Sequence, residues 1–186
     1  SALGDLLVPR LLIICGTSGV GKSTMSTSLA SSLGLSKIAS TDTIREVLRT
    51  QISSTARPAL HRSSFEPAGG SATEDWKETV QALSGGVLAV IERAISKGTD
   101  LLLEGVHYLP NKEVIDLWRE AGGVAIGVVL YVSSEERHRG MIANREKHNG
   151  KKVDHYLGNL DRIREIQEEL VLSGSEFGWL VIDPTK

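Results

Sequence analysis

The chain runs Leu11-Leu12-Ile13-Ile14-Cys15 straight into Gly16-Thr17-Ser18-Gly19-Val20-Gly21-Lys22-Ser23-Thr24. Residues 11–15 form a continuous apolar run, which is typical of a strand buried on both faces. The residues that follow match the pattern G-x-x-x-x-G-K-[ST] in full, and an amphipathic stretch comes next. The glycines allow the backbone to curl so that successive N–H groups face phosphate oxygens at the positive end of a helix. The sequence therefore predicts a phosphate-binding P-loop between a strand and a helix.

This loop also predicts the cofactors and the residues that bind them. We expect residues 16–24 to bind the phosphates of ATP, with Lys22 as a catalytic residue that reaches the β- and γ-phosphates. We expect the hydroxyl of Ser23 to be a ligand of Mg²⁺. Cys15 belongs to the buried strand and is interpreted as an inert core residue. The predicted cofactors are ATP and Mg²⁺.

The rest of the chain alternates between short apolar runs and amphipathic stretches. Apolar runs predict further buried strands at 37–39, 101–103, 124–132 and 179–182. Apolar residues at helical spacing predict helices at 25–33, 76–94 and 157–170. Gly34 is expected to end the first helix, and Ser133-x-x-Glu136 predicts the capping box of another. This alternation predicts an α/β fold in which helices cover both faces of a parallel sheet.

Composition and charge narrow the class of protein. The 186 residues suit one domain, and we treat 1–186 as a single domain. With 21 Lys and Arg against 23 Asp and Glu, the net charge is −2, and the basic excess of a general nucleic-acid binder is absent. The single cysteine cannot form an internal disulfide, and no apolar stretch approaches the length of a membrane span. We therefore expect a cytoplasmic protein with no nucleic-acid or membrane partner. The P-loop and the acceptor residues described below point instead to a small anionic substrate. The oligomeric state is left open.

The sequence disfavours two other classes of P-loop protein, GTPases and transporter-type ATPases. A GTPase needs a base-reading Asn-Lys-x-Asp after a later strand, and the sequence contains none. Leu83-Ser84-Gly85-Gly86 precedes the run at 101–104 much as the signature of transporter-type ATPases precedes their second nucleotide motif. That run ends Leu-Glu-Gly rather than Leu-Asp-Glu, so we interpret Gly85 and Gly86 as positions where a long helix packs closely.

The end of the second predicted strand carries a candidate acceptor site. Asp42 falls at the carboxyl end of that strand, where open α/β sheets bind their ligands. A carboxylate there can hold an acceptor hydroxyl in line with the γ-phosphate and take its proton, so Asp42 is a candidate for both catalysis and substrate binding. Arg45 follows one helical turn later and can bind an anionic group. The alternative for Asp42 is an N-cap on a helix that begins at Thr43.

Further candidates follow the third strand and lie in the irregular segment 52–72. Glu104 occupies the position from which a second carboxylate reaches Mg²⁺ through water, and His107 is a candidate substrate contact. His61 and Arg62 combine a ring nitrogen and a cation suited to phosphate or carboxylate. A structural histidine and a solvated loop are the respective alternatives. A loop of this length in a compact domain is usually functional or mobile.

The segment Arg137–Lys152 holds six basic residues and one acidic residue, Glu146. It lies between the fourth and fifth strands, where P-loop kinases carry a lid that closes arginines over the transferring phosphoryl group. We predict a small helical lid at about 133–155, in which Arg145 is catalytic and Arg139 binds substrate. A solvated basic face or a nucleic-acid patch is the alternative.

Together these residues resemble the archaeal-type 2-phosphoglycerate kinase family, within the P-loop small-molecule kinases. The resemblance covers nearly the whole chain and rests on residues 16–24, 40–48, 60–64, 103–107, 137–139, 156–157 and 163–167. It implies ATP-dependent phosphorylation of the 3-hydroxyl of 2-phosphoglycerate, with Mg²⁺, to give 2,3-bisphosphoglycerate. It also implies a five-stranded parallel sheet of the adenylate-kinase type.

Two alternatives stay open at this point. One is a P-loop kinase that acts on another phosphorylated or hydroxylated acid, or on a nucleotide. The other is an ATP-binding regulatory module without phosphotransfer. The intact Lys22 and Asp42 and the basic lid favour a catalyst.

Overall fold

The computed structural model describes residues 7–147 and 150–186. Strands and helices alternate along this part of the chain, as the sequence predicts. A short 3₁₀ helix lies at Pro58–His61. The strands are β1 (Arg10–Cys15), β2 (Ile38–Ser40), β3 (Leu101–Gly105), β4 (Val124–Leu130) and β5 (Leu180–Ile182). The α-helices are α1 (Lys22–Leu33), α2 (Thr41–Gln51), α3 (Ala72–Lys97), α4 (Glu113–Glu120), α5 (Glu135–Arg145), α6 (Gly150–Leu157) and α7 (Leu160–Glu176).

The five strands form one sheet in the order β2-β3-β1-β4-β5, and every neighbouring pair is parallel. This confirms the predicted five-stranded parallel sheet. The chain crosses in one direction from β1 to β2 and in the other from β3 to β4, so the order reverses beside β1. In open α/β sheets this is the place where ligands bind, at the carboxyl ends of the strands.

Side chains of β1 alternate between the two faces of the sheet and enter two cores. Leu11, Ile13 and Cys15 are buried in the core shared with α3, α4 and α7. Ile14 faces the other way and shares a core with Ala30 of α1. Helices therefore cover both faces, as predicted. Burial raises the pKa of Cys15 to about 12, which agrees with an inert core thiol.

The prediction of buried strands is wrong for the edge strands β2 and β5, where Ile38 and Leu180 are 50% and 53% exposed, and for one end of β4. Val124 and Ile126 are 52% and 47% exposed. Both point to the face that α1 covers, and α1 does not extend over this end of β4. The residues from Val128 to Leu130 are buried as expected.

Two helix boundaries show how tertiary contacts compete with local capping. Gly34 ends α1 in the left-handed conformation, as predicted. The capping box predicted from Ser133 is wrong, because Ser134 is the N-cap of α5 and accepts from the N–H of Arg137. The N–H and hydroxyl of Ser133 instead donate to the carboxylate of Asp183, which follows β5.

The single helix predicted at 157–170 is wrong, because these residues belong to two helices. Leu157 ends α6, and α7 begins at Leu160 after a short break. Helix α4 was not predicted, although its Ile115 and Trp118 are buried in the core. Its eight residues are amphipathic but shorter than the window of about 11–18 residues over which helical periodicity is judged in a sequence.

Gly86 lies where α2 packs against α3. A Cβ at Gly86 would come within 2.9 Å of Ile44 and 3.2 Å of Leu48, so the predicted close packing is confirmed there. A Cβ at Gly85 would meet no atom within 4 Å, so the same interpretation is wrong for Gly85. None of the described helices has both the length and the apolar composition needed to cross a membrane.

The irregular segment before α3 is held by side-chain hydrogen bonds. The buried carboxylate of Asp75 accepts from the N–H groups of Ala68 and Gly70 at 2.8 and 2.9 Å. It also accepts from Nη2 of Arg162 at 2.6 Å, and Nε of Arg162 donates to the carbonyl of Phe65. This cluster joins the loop to α3 and α7.

We predict that Asp75→Ala lowers the free energy of unfolding by about 3 kcal/mol, because it leaves a guanidinium and two N–H groups without their acceptor. Lys77→Ala is the matched control, since Lys77 pairs with Glu169 between the same two helices but at the surface. Its cost should stay below about 1 kcal/mol. Urea denaturation measures both, and equal losses would contradict the role given to Asp75.

Candidate active site

The P-loop joins β1 to α1 and depends on its glycines. Gly19 and Gly21 have φ angles of +77° and +90°, a region that residues with a side chain rarely adopt. A Cβ at Gly16 would lie 2.7 Å from the carbonyl oxygen of Leu130, so the loop packs closely on the end of β4. Because α1 begins at Lys22, its first N–H groups lie at the loop. The backbone thus forms an anion-binding concavity.

Lys22 lies inside this loop. Its Nζ donates to the carbonyl of Thr17 at 2.7 Å, and the hydroxyl of Thr17 is buried without a partner. Burial lowers the pKa of Lys22 to about 8, although the carboxylates of Glu104 and Asp42 act in the opposite direction. An anion in the loop would be a stronger partner for this ammonium than the neutral carbonyl.

A cavity of about 320 Å³ lies between the P-loop and α5. Gly19 and Lys22 line one side, and Met141, Asn144 and Arg145 line the other. The charge of Arg145 contributes to the lowered pKa of Lys22. Met141 and Asn144 were not predicted, although Met141 lies three residues before Asn144 and four before Arg145, spacings that bring side chains together on a helix. That helical spacing is the signal that could have identified them.

Asp42 lies in the first turn of α2 but does not cap it. Ser40 is the N-cap, and its hydroxyl accepts from the N–H of Asp42 at 3.2 Å. The alternative interpretation of Asp42 as an N-cap is therefore wrong. The reason is that α2 follows β2 directly and begins at Thr41, two residues earlier than expected.

The carboxylate of Asp42 interacts instead with His107. Nδ1 of His107 lies 3.5 Å from Oδ1 of Asp42, and the imidazole is only 3% exposed. The contact with His107 lowers the pKa of Asp42, whereas burial lowers the pKa of His107 despite the neighbouring carboxylate. At neutral pH the pair therefore consists of an ionised Asp42 and a neutral His107. Both Nδ1 and Nε2 of His107 are buried without a hydrogen-bond partner, so the contact with Asp42 is a close approach of polar atoms rather than a well-formed hydrogen bond.

Glu104 is the one charged residue of β3 and lies next to the carboxyl end of that strand. Its register places it beside Ile14 of β1 and Ser40 of β2. Burial raises the pKa of Glu104, and the positive charge of Lys22 opposes that shift. Lys22 and Glu104 are thus neighbours whose pKa values are shifted towards each other.

Arg45 lies one turn beyond Asp42, as predicted, and contacts the irregular loop. Its Nη2 donates to the carbonyl of Arg62 at 2.7 Å, and its Nε is buried without a partner. The side chain of Arg62 turns to α3, where it donates to the carbonyl of Asp75 and pairs with Glu78 at 2.7 Å. The ring of His61 contacts the carbonyl of Ile52 at 2.8 Å. Arg62 and His61 therefore hold the loop in place with their polar atoms.

The predicted lid at 133–155 corresponds to α5 and most of α6, while His148 and Asn149 within it lie outside the described residues. Arg145 lines the cavity, whereas Arg139 points to the other side of α5. There it pairs with Glu135 at 3.2 Å on the exposed surface. The structure thus brings Lys22, Asp42, Glu104, His107, Arg45 and Arg145 together, and it does not bring Arg139 to them.

Comparison with known proteins identifies the family. A family model described as an AAA domain matches residues 11–170. The 2-phosphoglycerate kinase of Pyrococcus horikoshii is 32% identical over 184 residues, which is 95% of this chain and 60% of the relative. That of Pyrococcus furiosus is 32% identical over 186 residues, or 96% of this chain and 60% of the relative. This chain therefore spans about 60% of the length of these curated relatives.

A solved structure agrees on the fold. Shikimate kinase from Acinetobacter baumannii superposes with a TM-score of 0.52 at 15% identity, covering 97% of this chain and 86% of that one. At this identity the likeness concerns the fold alone. Because the family model spans most of the residues, from β1 to α7, this chain belongs to the AAA domain family of P-loop proteins, and curated 2-phosphoglycerate kinases are among its relatives.

Proposed function

We propose that this chain is an ATP-dependent kinase that phosphorylates the 3-hydroxyl of 2-phosphoglycerate, giving 2,3-bisphosphoglycerate and ADP. The observation that carries the proposal is the position of Lys22, whose pKa responds to both Glu104 and Asp42. A donor loop and an acceptor carboxylate thus lie at one edge of the sheet. The names of the archaeal relatives support the choice of acceptor.

Three observations support the binding of the ATP phosphates by the P-loop. Gly16 and Gly19 leave no room for side chains, since a Cβ at Gly16 would collide with the carbonyl of Leu130 and one at Gly19 with Ile142. Lys22 donates only to a backbone carbonyl of the loop among the hydrogen bonds found in the described residues. The hydroxyl of Thr17 is buried and unpaired. These features suit an occupant that accepts several hydrogen bonds and carries negative charge.

The donor set suits a magnesium ion held mainly by phosphates. Ser23 lines the cavity, and Glu104 lies beside Lys22. Residues 7–147 and 150–186 contain no group of three His, Cys, Asp or Glu side chains arranged to hold a metal. Mg²⁺ characteristically takes one or two protein ligands and completes its shell with phosphate oxygens and water. When bound, it would neutralise charge on the β- and γ-phosphates.

Asp42 is the proposed base. Because the His107 contact keeps its carboxylate ionised, Asp42 can accept a hydrogen bond from the substrate hydroxyl and then take its proton during transfer. His107 is neutral, and its Nδ1 lies 3.5 Å from Oδ1 of Asp42. Lys22 and Arg145 stabilise the charge that builds on the transferring phosphoryl group.

Binding of 2-phosphoglycerate requires cations beside Asp42, since the carboxylate and phosphate of the substrate carry about three negative charges. Arg45 is the proposed main contact, because its Nε is buried without a partner. His61, Arg62 and His107 are proposed to complete the pocket, the first two chiefly by shaping the loop that contacts Arg45.

We include in the proposal a cytoplasmic location and a lid formed by the segment at about 133–155.

Release of ADP with different acceptors tests the proposal. Wild-type protein should release ADP with 2-phosphoglycerate much faster than with 3-phosphoglycerate, glycerate or AMP. Preference for AMP would instead favour a nucleotide kinase. No release with any acceptor, together with tight ATP binding, would favour a regulatory module.

The same assay separates binding from chemistry. Asp42→Asn should lower kcat about 100-fold or more with little change in the KM for 2-phosphoglycerate, since the amide keeps the hydrogen bond but cannot take a proton. Arg45→Ala should raise that KM about tenfold or more. Arg49→Ala removes the same charge from the next turn of α2 and is the matched control. Equal effects of the two arginine variants would contradict a specific contact by Arg45.

We predict that Arg145→Ala lowers kcat about 100-fold or more, with a smaller change in ATP affinity, because the charge on the phosphoryl group peaks in the transition state. Arg139→Ala removes the same charge from the opposite side of α5, where Arg139 pairs with Glu135. Its effect should be much smaller. Steady-state kinetics of both variants measure the difference, and equal losses would show that only the overall charge of the segment matters.

We predict that ATP binding takes up protons at pH 8.5. The pKa of Lys22 is about 8 without nucleotide, so much of Lys22 is neutral at that pH, and phosphates favour its charged form. Calorimetric titration with Mg-ATP in buffers of different ionisation enthalpy should give an uptake on the order of half a proton or more, falling towards zero at pH 6.5. Lys22→Arg stays charged and should remove the uptake. Unchanged uptake in that variant would contradict the assignment.

A further inference from the structure

His138 lies behind the P-loop and contacts it directly. The residue belongs to α5, and its side chain is fully buried. Nε2 of His138 lies 2.8 Å from the carbonyl oxygen of Ser18 in the loop. A carbonyl can only accept, so Nε2 carries the hydrogen. A buried polar side chain therefore holds one peptide group of the phosphate-binding loop.

Arg164 of α7 helps to determine which nitrogen of the His138 imidazole carries the hydrogen. Its Nη1 lies 3.3 Å from Nδ1 of His138. A guanidinium has donors and no acceptor, so Nδ1 must accept and cannot carry a hydrogen. Burial lowers the pKa of His138, and the charges of Arg164 and Lys22 act in the same direction. The ring is therefore neutral, with its hydrogen on Nε2.

The turn between β4 and α5 is held by the same part of α7. Arg164 donates to the carbonyls of Val132 and Ser133 at 3.1 and 3.0 Å. The amide of Gln167 accepts from the N–H of Val132 at 2.9 Å and donates to its carbonyl at 3.1 Å. These bonds fix the position from which α5, and with it His138, approaches the P-loop.

The bond to Ser18 sets the direction of the next N–H group. The peptide between Ser18 and Gly19 is planar and trans, so its carbonyl and its N–H point in opposite directions. With the carbonyl of Ser18 turned to His138, the N–H of Gly19 points away from His138. Gly19 lines the cavity beside Lys22, so its N–H lies on the side of the loop where phosphates would bind.

We propose that His138 is a positioning residue for nucleotide binding: held in one tautomer by Arg164, it turns the carbonyl of Ser18 outward and so presents the N–H of Gly19 to the phosphates. The proposal rests on the proposed binding of ATP to this loop. It gives a role to His138, Arg164 and Gln167, which lie in two segments that carried part of the family resemblance, 137–139 and 163–167.

The tautomer is tested on the nucleotide-free protein. Nitrogen-15 NMR of the imidazole should show Nε2 protonated and Nδ1 unprotonated at pH 7. Arg164→Met removes the donor to Nδ1, so the Nδ1 signal should shift towards that of an imidazole nitrogen without a hydrogen bond while Nε2 stays protonated towards Ser18. An unchanged Nδ1 signal would overturn the contact with Arg164. A wild-type ring protonated on Nδ1 would overturn the proposal, and this readout does not depend on ATP.

The positioning role is tested by substitution. His138→Leu should weaken Mg-ATP binding about tenfold, because the carbonyl of Ser18 loses its donor, and should shift the amide signal of Gly19. His138→Gln places an N–H near the position of Nε2 and should restore affinity to within about threefold of wild type. The KM for the acceptor should change little in both variants.

Leu170→Ala is the control for lost stability, since Leu170 is fully buried in α7 and belongs to the core that α7 shares with α3 and α4. It should lower the melting temperature without changing ATP affinity. Wild-type affinity in His138→Leu, or an equal loss in His138→Gln, would overturn the role of His138. If His138→Leu does not fold, the imidazole spectrum of Arg164→Met and the Mg-ATP affinity of His138→Gln still test the proposal. Failure of the wild-type chain to bind ATP would instead contradict the proposed function.

Discussion

The hydrogen-bonded ladders that place β1 between β3 and β4 determine where every part of the candidate site lies. All the strands of this sheet are parallel, so each one ends at the same edge, and the residues that follow them meet there. The P-loop follows β1, Asp42 follows β2 by two residues, and Glu104 lies near the end of β3. Phosphate-binding N–H groups and two carboxylates are thereby neighbours in space although they are far apart along the chain. No single helix or hairpin could produce this arrangement.

Burial at this edge leaves charged groups that lack full solvation. Burial lowers the pKa of Lys22 and raises that of Glu104, so both ionised forms are less favourable than they would be in water. A polyanion with its metal would relieve both shifts, since phosphates favour the ammonium and a cation favours the carboxylate. Asp42 differs, because its contact with His107 keeps it ionised. The site thus combines two groups whose charged forms a bound polyanion and metal would stabilise with one carboxylate that is already ionised.

Helix α7 connects the two halves of the site. Arg162, near its beginning, reaches Phe65 and Asp75 and so holds the loop that contacts Arg45. Arg164, half a turn later, holds the turn before α5 and the imidazole that contacts the P-loop. The ring of Phe65 also packs against that of Tyr156 in α6, with centroids 5.1 Å apart. Helix α7 thereby holds both the irregular segment that contacts Arg45 and, through His138, the P-loop.

The sequence by itself determined the elements whose signals are local. The P-loop, the five strands, the end of α1 at Gly34 and the roles expected for Lys22 and Ser23 follow from spacing and from the chemistry of glycine and lysine. Asp42 and Glu104 could be placed at one edge because parallel strands share their carboxyl ends. Tertiary structure decided what depends on residues distant in sequence. Ser133 binds Asp183 rather than capping α5, Arg139 turns away from the cavity, and His138 meets Ser18, because hydrogen-bonding groups pair with whatever the packed elements bring within reach.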